Sequence, residues 1–166
     1  MPVEMIEIVS DRGDVIGIAP RSIVHGNPTL LHRVAHVMVL DKDGRILLQR
    51  RAMTKDVAPG RWDTSVGGHV DPGEEDVDAA LREMREELGV ACEPEFLYSY
   101  VHSNRYETEL VSTYRCTHEG PFTFNPEEID EVRFWAVEEI RSALGGEALS
   151  DNFKHEFGSY LAHIKK

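Results

Sequence analysis

The chain has 166 residues, with 18 lysines and arginines against 30 aspartates and glutamates, a formal net charge of −12 and 41% hydrophobic residues. That length suits one domain with its own core, taken as residues 1–166, and the charge argues against a nucleic-acid polymer or an anionic membrane as partner, since both require basic patches. No apolar run is long enough to span a bilayer, the opening MPVEMIEIVSDRGD lacks the basic and apolar regions of a signal peptide, and Cys92 and Cys116 have no metal or disulfide-framework spacing, so both read as reduced thiols of a cytoplasmic protein.

In chain order, MIEIVS and DVIGIA read as short strands around the turn Asp11-Arg12-Gly13. RVAHVMVL alternates, and RILLQRR follows the turn Asp41-Lys42-Asp43-Gly44, which predicts a hairpin. Met53 to Gly60 reads as loop and Arg61 to Val66 as extended. Next comes a helix whose early acids, Glu74, Glu75, Asp76 and Asp78, suit the macrodipole. Val77, Leu81, Met84 and Leu88 repeat at helical spacing as a buried stripe, and Gly89 closes it. FLYSYVH, ELVSTYRC and EVRFWAV read as strands, and Glu138–Leu144 and Phe153–Ile164 as helices. Interleaved strands and helices with a hairpin predict an α/β protein, a mixed sheet with helices against it.

The chemistry concentrates in the helix. Glu83, Glu86 and Glu87 stand at i, i+3 and i+4, so they share one face and repel one another. Converging carboxylates suit a hard cation such as Mg²⁺ or Mn²⁺, which takes one or two carboxylates together with substrate phosphate oxygens. Gly68, beside Gly67, lets backbone approach such an ion and offers a carbonyl. Arg82 can hold the acids by pairing with Glu74 or a helix glutamate. A small phosphorylated ligand is compatible with the acidic balance, because a metal and a few local cations bind it.

Gly68, Glu74, Arg82, Glu83, Met84, Glu86, Glu87, Gly89 and Val90 fill every specified position of G-x5-E-x7-R-E-U-x-E-E-x-G-U over 23 residues. The stretch thereby resembles the Nudix box. The resemblance implies an α/β/α sandwich with a central mixed sheet and a Mg²⁺- or Mn²⁺-dependent hydrolase. Its substrate would be a small-molecule diphosphate, such as a nucleoside diphosphate joined to another group. Glu83, Glu86 and Glu87 would ligate metal, one of them assisting the attacking water, with Glu83 and Glu86 the candidates. An acid of the late loop, here Glu128, would approach the water or metal.

Outside the box the chain is similar to isopentenyl-diphosphate isomerases and their relatives among Nudix hydrolases, from about Glu7 to Trp135. His25, LLHRVAH, QRRAMTKDVAPGRWDTSVGGH and ETEL carry this likeness. It implies a second divalent site from His25, His32, His69, Glu107 and Glu109, a set suited to Mn²⁺, Zn²⁺ or Fe²⁺. It also implies that Arg51 and Lys55 hold the substrate's diphosphate. The isomerases carry a catalytic cysteine in a Cys-Gly-His arrangement, whereas this chain has Gly67-Gly68-His69. Lacking that thiol and keeping an intact box, the chain is expected to hydrolyse rather than isomerise. A non-catalytic ligand-binding domain is the third reading. His36 reads as a structural strand histidine and Trp62 as core, and His102, His118, His155 and His163 follow no pattern. Substrate identity and oligomeric state are left open.

Overall fold

The computed structural model describes residues 3–165. Strands β1 (Met5–Val9) and β2 (Val15–Pro20) flank the expected turn, and a short helix α1 (Arg21–Val24), which no sequence signal announced, follows them. β3 (Leu31–Leu40) and β4 (Ile46–Arg51) are joined through Asp41, whose carboxylate accepts the backbone N–H of Asp43 and of Arg45, each at 2.9 Å. Gly44 closes the turn at a φ of 82°, where a side chain would be strained.

The hairpin is narrower than its sequence suggests, since β3 and β4 pair only at Leu40 and Ile46. β3 gives one whole edge to β8 (Thr108–Thr117), in parallel register from Leu31 to Leu40. Its other edge is shared by β1 at His32, by β6 (Val66–His69) from Val34 to Val37, and by β4 at Leu40. β4 instead pairs with β5 (Trp62–Thr64) and β9 (Ile129–Trp135). The extended stretch Arg61–Val66 is therefore two strands in separate parts of the sheet, with buried Ser65 between them. Ser65 Oγ accepts Val39 N–H at 2.9 Å and donates to the Leu47 carbonyl, while its own carbonyl accepts the Gln49 amide at 3.0 Å. Past that stitch the sheet opens into a cleft.

Helices cover both faces. On one face α2 (Asp76–Leu88) packs Ala79, Ala80, Met84 and Leu88 against Ala35, Val37, Val39, Val66 and Tyr114. The expected stripe is thus corrected: Val77 is exposed and Leu81 half-buried, and two alanines face the sheet instead. Their small side chains let the helix backbone lie close to β6. Arg33 anchors the start of α2, donating to Asp76 at 3.0 Å and to Glu7 at 2.8 Å. On the other face α3 (Val137–Ala143) and α4 (Asp151–Ile164) bring Ile140, Phe153, Phe157 and Tyr160 against Met38, Leu48, Leu97 and Trp135. Complete burial of side chains such as Phe153 and Phe157 contributes roughly 1.5–3 kcal/mol each. Ser150 caps α4, accepting Phe153 N–H at 3.0 Å. With β7 (Glu95–Ser103) antiparallel to β8, the result is the expected α/β/α sandwich on a mixed sheet. No helix among the described residues is long and apolar enough to cross a membrane.

The reading of the two cysteines as reduced thiols is corrected. Cys92 and Cys116 form a disulfide, their Cα atoms 6.3 Å apart. Sequence spacing carried no sign of it, because the pairing depends on the end of β8 lying beside the segment that leaves α2.

Candidate active site

Two clusters of ionisable side chains meet at β6. Successive residues of a strand point to opposite faces, so Gly68 turns toward α2, whereas Gly67 and His69 turn toward α4. β6 pairs with β3 alone, so its free edge borders the cleft.

The first cluster comes from the last turns of α2. Arg82 holds Glu74 as a fork, with Nε 2.9 Å and Nη2 3.0 Å from the two carboxylate oxygens. Nη2 also donates to the His69 carbonyl at 2.9 Å, and Nη1 donates to Glu83 Oε1 at 2.6 Å. Glu74 and Arg82 thereby tie the loop before the helix to β6 and set the position of Glu83. The Glu83 carboxyl lies flat against Gly68: a Cβ there would stand 2.5 Å from Oε1 and 2.6 Å from Oε2. Gly68→Ala is therefore expected to displace Glu83 and weaken Mn²⁺ binding by about 10–100-fold, the usual effect of disturbing what orients a ligand. Calorimetric titration with Mn²⁺ checks this, and an unchanged affinity would mean that Glu83 can yield freely.

Glu87 accepts the Gln49 side-chain amide at 2.8 Å, and its Oε2 is buried with no partner among the described residues. Burial, reinforced by the neighbouring Glu83 carboxyl, pushes Glu87 well above the usual carboxylate range. Two carboxyls forced together in this way are relieved by a cation between them. Glu86 is exposed and reaches only Arg82, at 3.4 Å.

The second cluster lies toward the other face. The ligating atoms of His25, His32 and His69 lie within 4.8 Å of one another, as do those of His32, Glu107 and Glu109. His25 Nε2 is 3.0 Å from His69 Nε2 and 3.1 Å from Glu107 Oε2. Among the described residues, both buried ring nitrogens of His32, and likewise Glu107 Oε2 and Glu109 Oε1, have no contact with hydrogen-bond geometry, the His25 approach to Glu107 included. Burial, followed by the nearness of His69 and His25, depresses His32 to about 4. Burial and then Glu107 raise Glu109 to about 7. Imidazoles beside converging acids are the donor set of a divalent ion. Glu4, which sequence reasoning missed, bonds His69 Nδ1 at 2.8 Å and fixes that ring.

Apart from His32 and Glu74, which lie behind its wall, both clusters line one cleft of about 800 Å³, together with Arg51, Lys55, Asp63 and Glu128. Arg51 donates to the Val57 carbonyl at 2.7 Å and lies 3.6 Å from Asp63, so it is already aimed along the cleft wall. Lys55 and Glu128 are paired with each other rather than standing separately. Gln49 and Asp63 were also missed. Each sits on a strand where alternation alone assigned no role. Trp62 lies edge-on to Trp135, ring centroids 5.4 Å apart, under the Arg133 guanidinium, which supports the core reading.

Three comparisons bear on this arrangement. The family model described as the NUDIX domain matches residues 30–157. An uncharacterised Nudix hydrolase of Yersinia pestis is 36% identical over 156 residues, 92% of this chain and 83% of that protein. An isopentenyl-diphosphate Δ-isomerase of Clavibacter sepedonicus is 33% identical over 148 residues, 85% of this chain and 78% of that protein. The crystal structure of a Deinococcus radiodurans protein shares the fold with a TM-score of 0.80 at 24% identity, over 93% of this chain and 98% of its own.

Proposed function

The chain belongs to the Nudix hydrolase family, and from that premise we propose that it is a divalent-metal-dependent hydrolase of a phosphoanhydride. Its substrate is a nucleoside diphosphate derivative or a related small-molecule diphosphate. One observation carries the reading: Glu83 lies against Gly68 with the Glu87 carboxyl beside it, and a buried oxygen of Glu87 has no partner among the described residues. The residues fit Mg²⁺ or Mn²⁺, held by Glu83, Glu86, Glu87 and the Gly68 carbonyl. When bound, such an ion neutralises phosphate charge and lowers the pKa of water. Arg82 keeps Glu83 in place, and Gln49 fixes the rotamer of Glu87. Arg51 and Lys55 grip the outer phosphate, Lys55 exchanging Glu128 for a phosphate oxygen. Glu128, so released, or Glu83 takes the proton of the attacking water.

The five donors His25, His32, His69, Glu107 and Glu109 form a second ion site, for Mn²⁺, Zn²⁺ or Fe²⁺. Their unsatisfied buried atoms support it. Isomerisation is disfavoured at Gly67. A Cβ there would stand 2.9 Å from His36 Cδ2 and 3.1 Å from His36 Nε2, so the isomerases' cysteine would have to displace that ring.

A panel tests the reading: nucleoside di- and triphosphates, nucleotide sugars, dinucleotides, coenzyme A and isopentenyl diphosphate, with Mg²⁺ or Mn²⁺, products resolved by mass. Hydrolysis of one class, abolished by chelation, is the expected result. Deuterium uptake into isopentenyl diphosphate without hydrolysis would replace the hydrolase by the isomerase, and binding without turnover by a ligand-binding domain.

A further inference from the structure

His36 lines the cleft but belongs to neither ion cluster. Its Nδ1 lies 2.8 Å from Oε1 of Glu156, a residue of α4 with no solvent exposure. Three hydroxyls also converge on that carboxyl. Tyr98 donates to Oε2, Tyr100 to Oε1 at 3.0 Å, and Thr113 shares its one hydroxyl proton between the two oxygens, at 3.0 and 3.1 Å. These four donors match the about four lone-pair sites of a carboxylate, an environment that suits the ionised form. Glu156 is thus a buried anion, and buried anions are retained only when paired. Among the described residues touching it, His36 alone can carry positive charge. Burial would push His36 down, but the bond to Glu156 and its charge outweigh this and raise it. The same contacts hold Glu156 below the usual carboxylate range against its own burial.

The ring's other nitrogen faces the opposite way. His36 and Gly67 are register partners on β3 and β6, and Nε2 lies only 3.1 Å from where a Cβ at Gly67 would be. The absence of that Cβ is what opens Nε2 to the cleft. Other charged or titratable groups near the ring are Glu109 on β8, Asp63 on β5, His102 on β7 and His32 on β3. The two acids favour its charge and His102 opposes it, while His32, depressed to about 4, is uncharged. Arg51 and Lys55 already face Asp63 and Glu128. Glu109 and Asp63 stand near it in the cleft, but among the described residues none accepts a hydrogen bond from Nε2, so His36 presents a cationic N–H toward the cleft.

We propose that His36 is an anion-binding residue of the substrate site: its Nε2–H donates to a phosphate oxygen of the diphosphate, and Glu156 is the positioning residue that aims the ring from behind. This rests on the reading of the cleft as a diphosphate site. Gly67 thereby acquires a role of its own, since the residue that removes the isomerases' thiol also uncovers this donor.

The test uses the whole chain, ring-¹⁵N-labelled histidine and inorganic pyrophosphate in chelator. The His36 ring should keep both nitrogens protonated to a higher pH than an ordinary histidine, and its Nε2 signal should move on addition of pyrophosphate. His36→Gln should weaken pyrophosphate binding about tenfold or more, the scale of a lost charge-assisted hydrogen bond, and raise KM for any panel substrate more than it lowers kcat. Glu156→Gln should lower the pH at which the His36 ring titrates. If that variant does not fold, Gly67→Ala is the second probe, because it covers Nε2 while leaving Glu156 in place, and it too should weaken binding. A His36 signal indifferent to pyrophosphate, with unchanged affinity in His36→Gln, overturns the proposal. Panel hydrolysis that persists in that variant with unchanged KM would leave the hydrolase standing and remove only His36 from its substrate site.

Discussion

Glu86→Gln is expected to lower kcat by about 10²–10³-fold, the scale of removing one preorganised electrostatic contributor, here through the ion it is proposed to hold, while leaving the protein as stable as before. The side chain of Glu86 is 60% exposed, and its one ion-pair contact is to Arg82 at 3.4 Å. Arg82 keeps its closer bonds to Glu74, Glu83 and the His69 carbonyl without it. Exposed pairs of this kind contribute little to folding, about 0–1 kcal/mol. The substitution therefore separates ion holding from fold. Steady-state kinetics with Mg²⁺ and a thermal melt of the same sample decide the matter. A variant that turns over normally would remove Glu86 from the ion site, and one that melts early would show a structural role the geometry does not support.

The second large effect is on stability. His36→Leu leaves Glu156 buried without its cation, and breaking a buried pair from one side costs about 3–5 kcal/mol. For a domain of this size that is a fall of about 6–20 °C in melting temperature, at roughly 2–4 °C per kcal/mol. The pH dependence has a definite sign. His36 is raised in the folded protein, so its contribution is complete below the ordinary histidine value of about 6.5 and is lost as pH rises through the raised one. Glu156 is lowered, so its contribution is complete above the ordinary carboxylate value of about 4.3 and is lost as pH falls through the lowered one. Unpaired burial raises Glu156 in the variant, so the difference between wild type and His36→Leu should be widest toward the upper limit, narrowing in alkali as the ring loses its proton and toward acid as the variant's Glu156 takes one up. Melts across that range, showing a difference that does not vary with pH, would mean that the pair is not ionised.

The helix and its acids were legible because everything that defines them lies within one short window: carboxylates at i, i+3 and i+4, an arginine beside them and glycines at both ends. The strands were legible from alternation. Their partners were not, because β3 meets β8 in parallel across a long crossover and gives its other edge to three strands in turn. The break at Ser65 was hidden inside an extended run, since both halves are strands and only their neighbours differ. His25, His32, His69, Glu107 and Glu109 came from a resemblance rather than from spacing, and the fold does bring them together. Gln49, Asp63 and Glu4 were invisible, each being polar on a strand or at its approach with no local partner. Glu156 is the extreme case: its bond to His36 spans 120 residues, and in α4 it reads as one more solvated helix acid.

The paired glycines of β6 can be seen as a window with a view on each side. Through Gly68 the Glu83 carboxyl presses on the strand from the α2 side, and through Gly67 the His36 ring presses from the α4 side. Neither residue contributes an atom beyond its backbone, so what the sequence specifies at both positions is empty volume. The two halves of the cleft are thus kept apart by a single thickness of polypeptide. Adding one methyl group on either side would be felt first by the chemistry of that side and only secondarily by the fold.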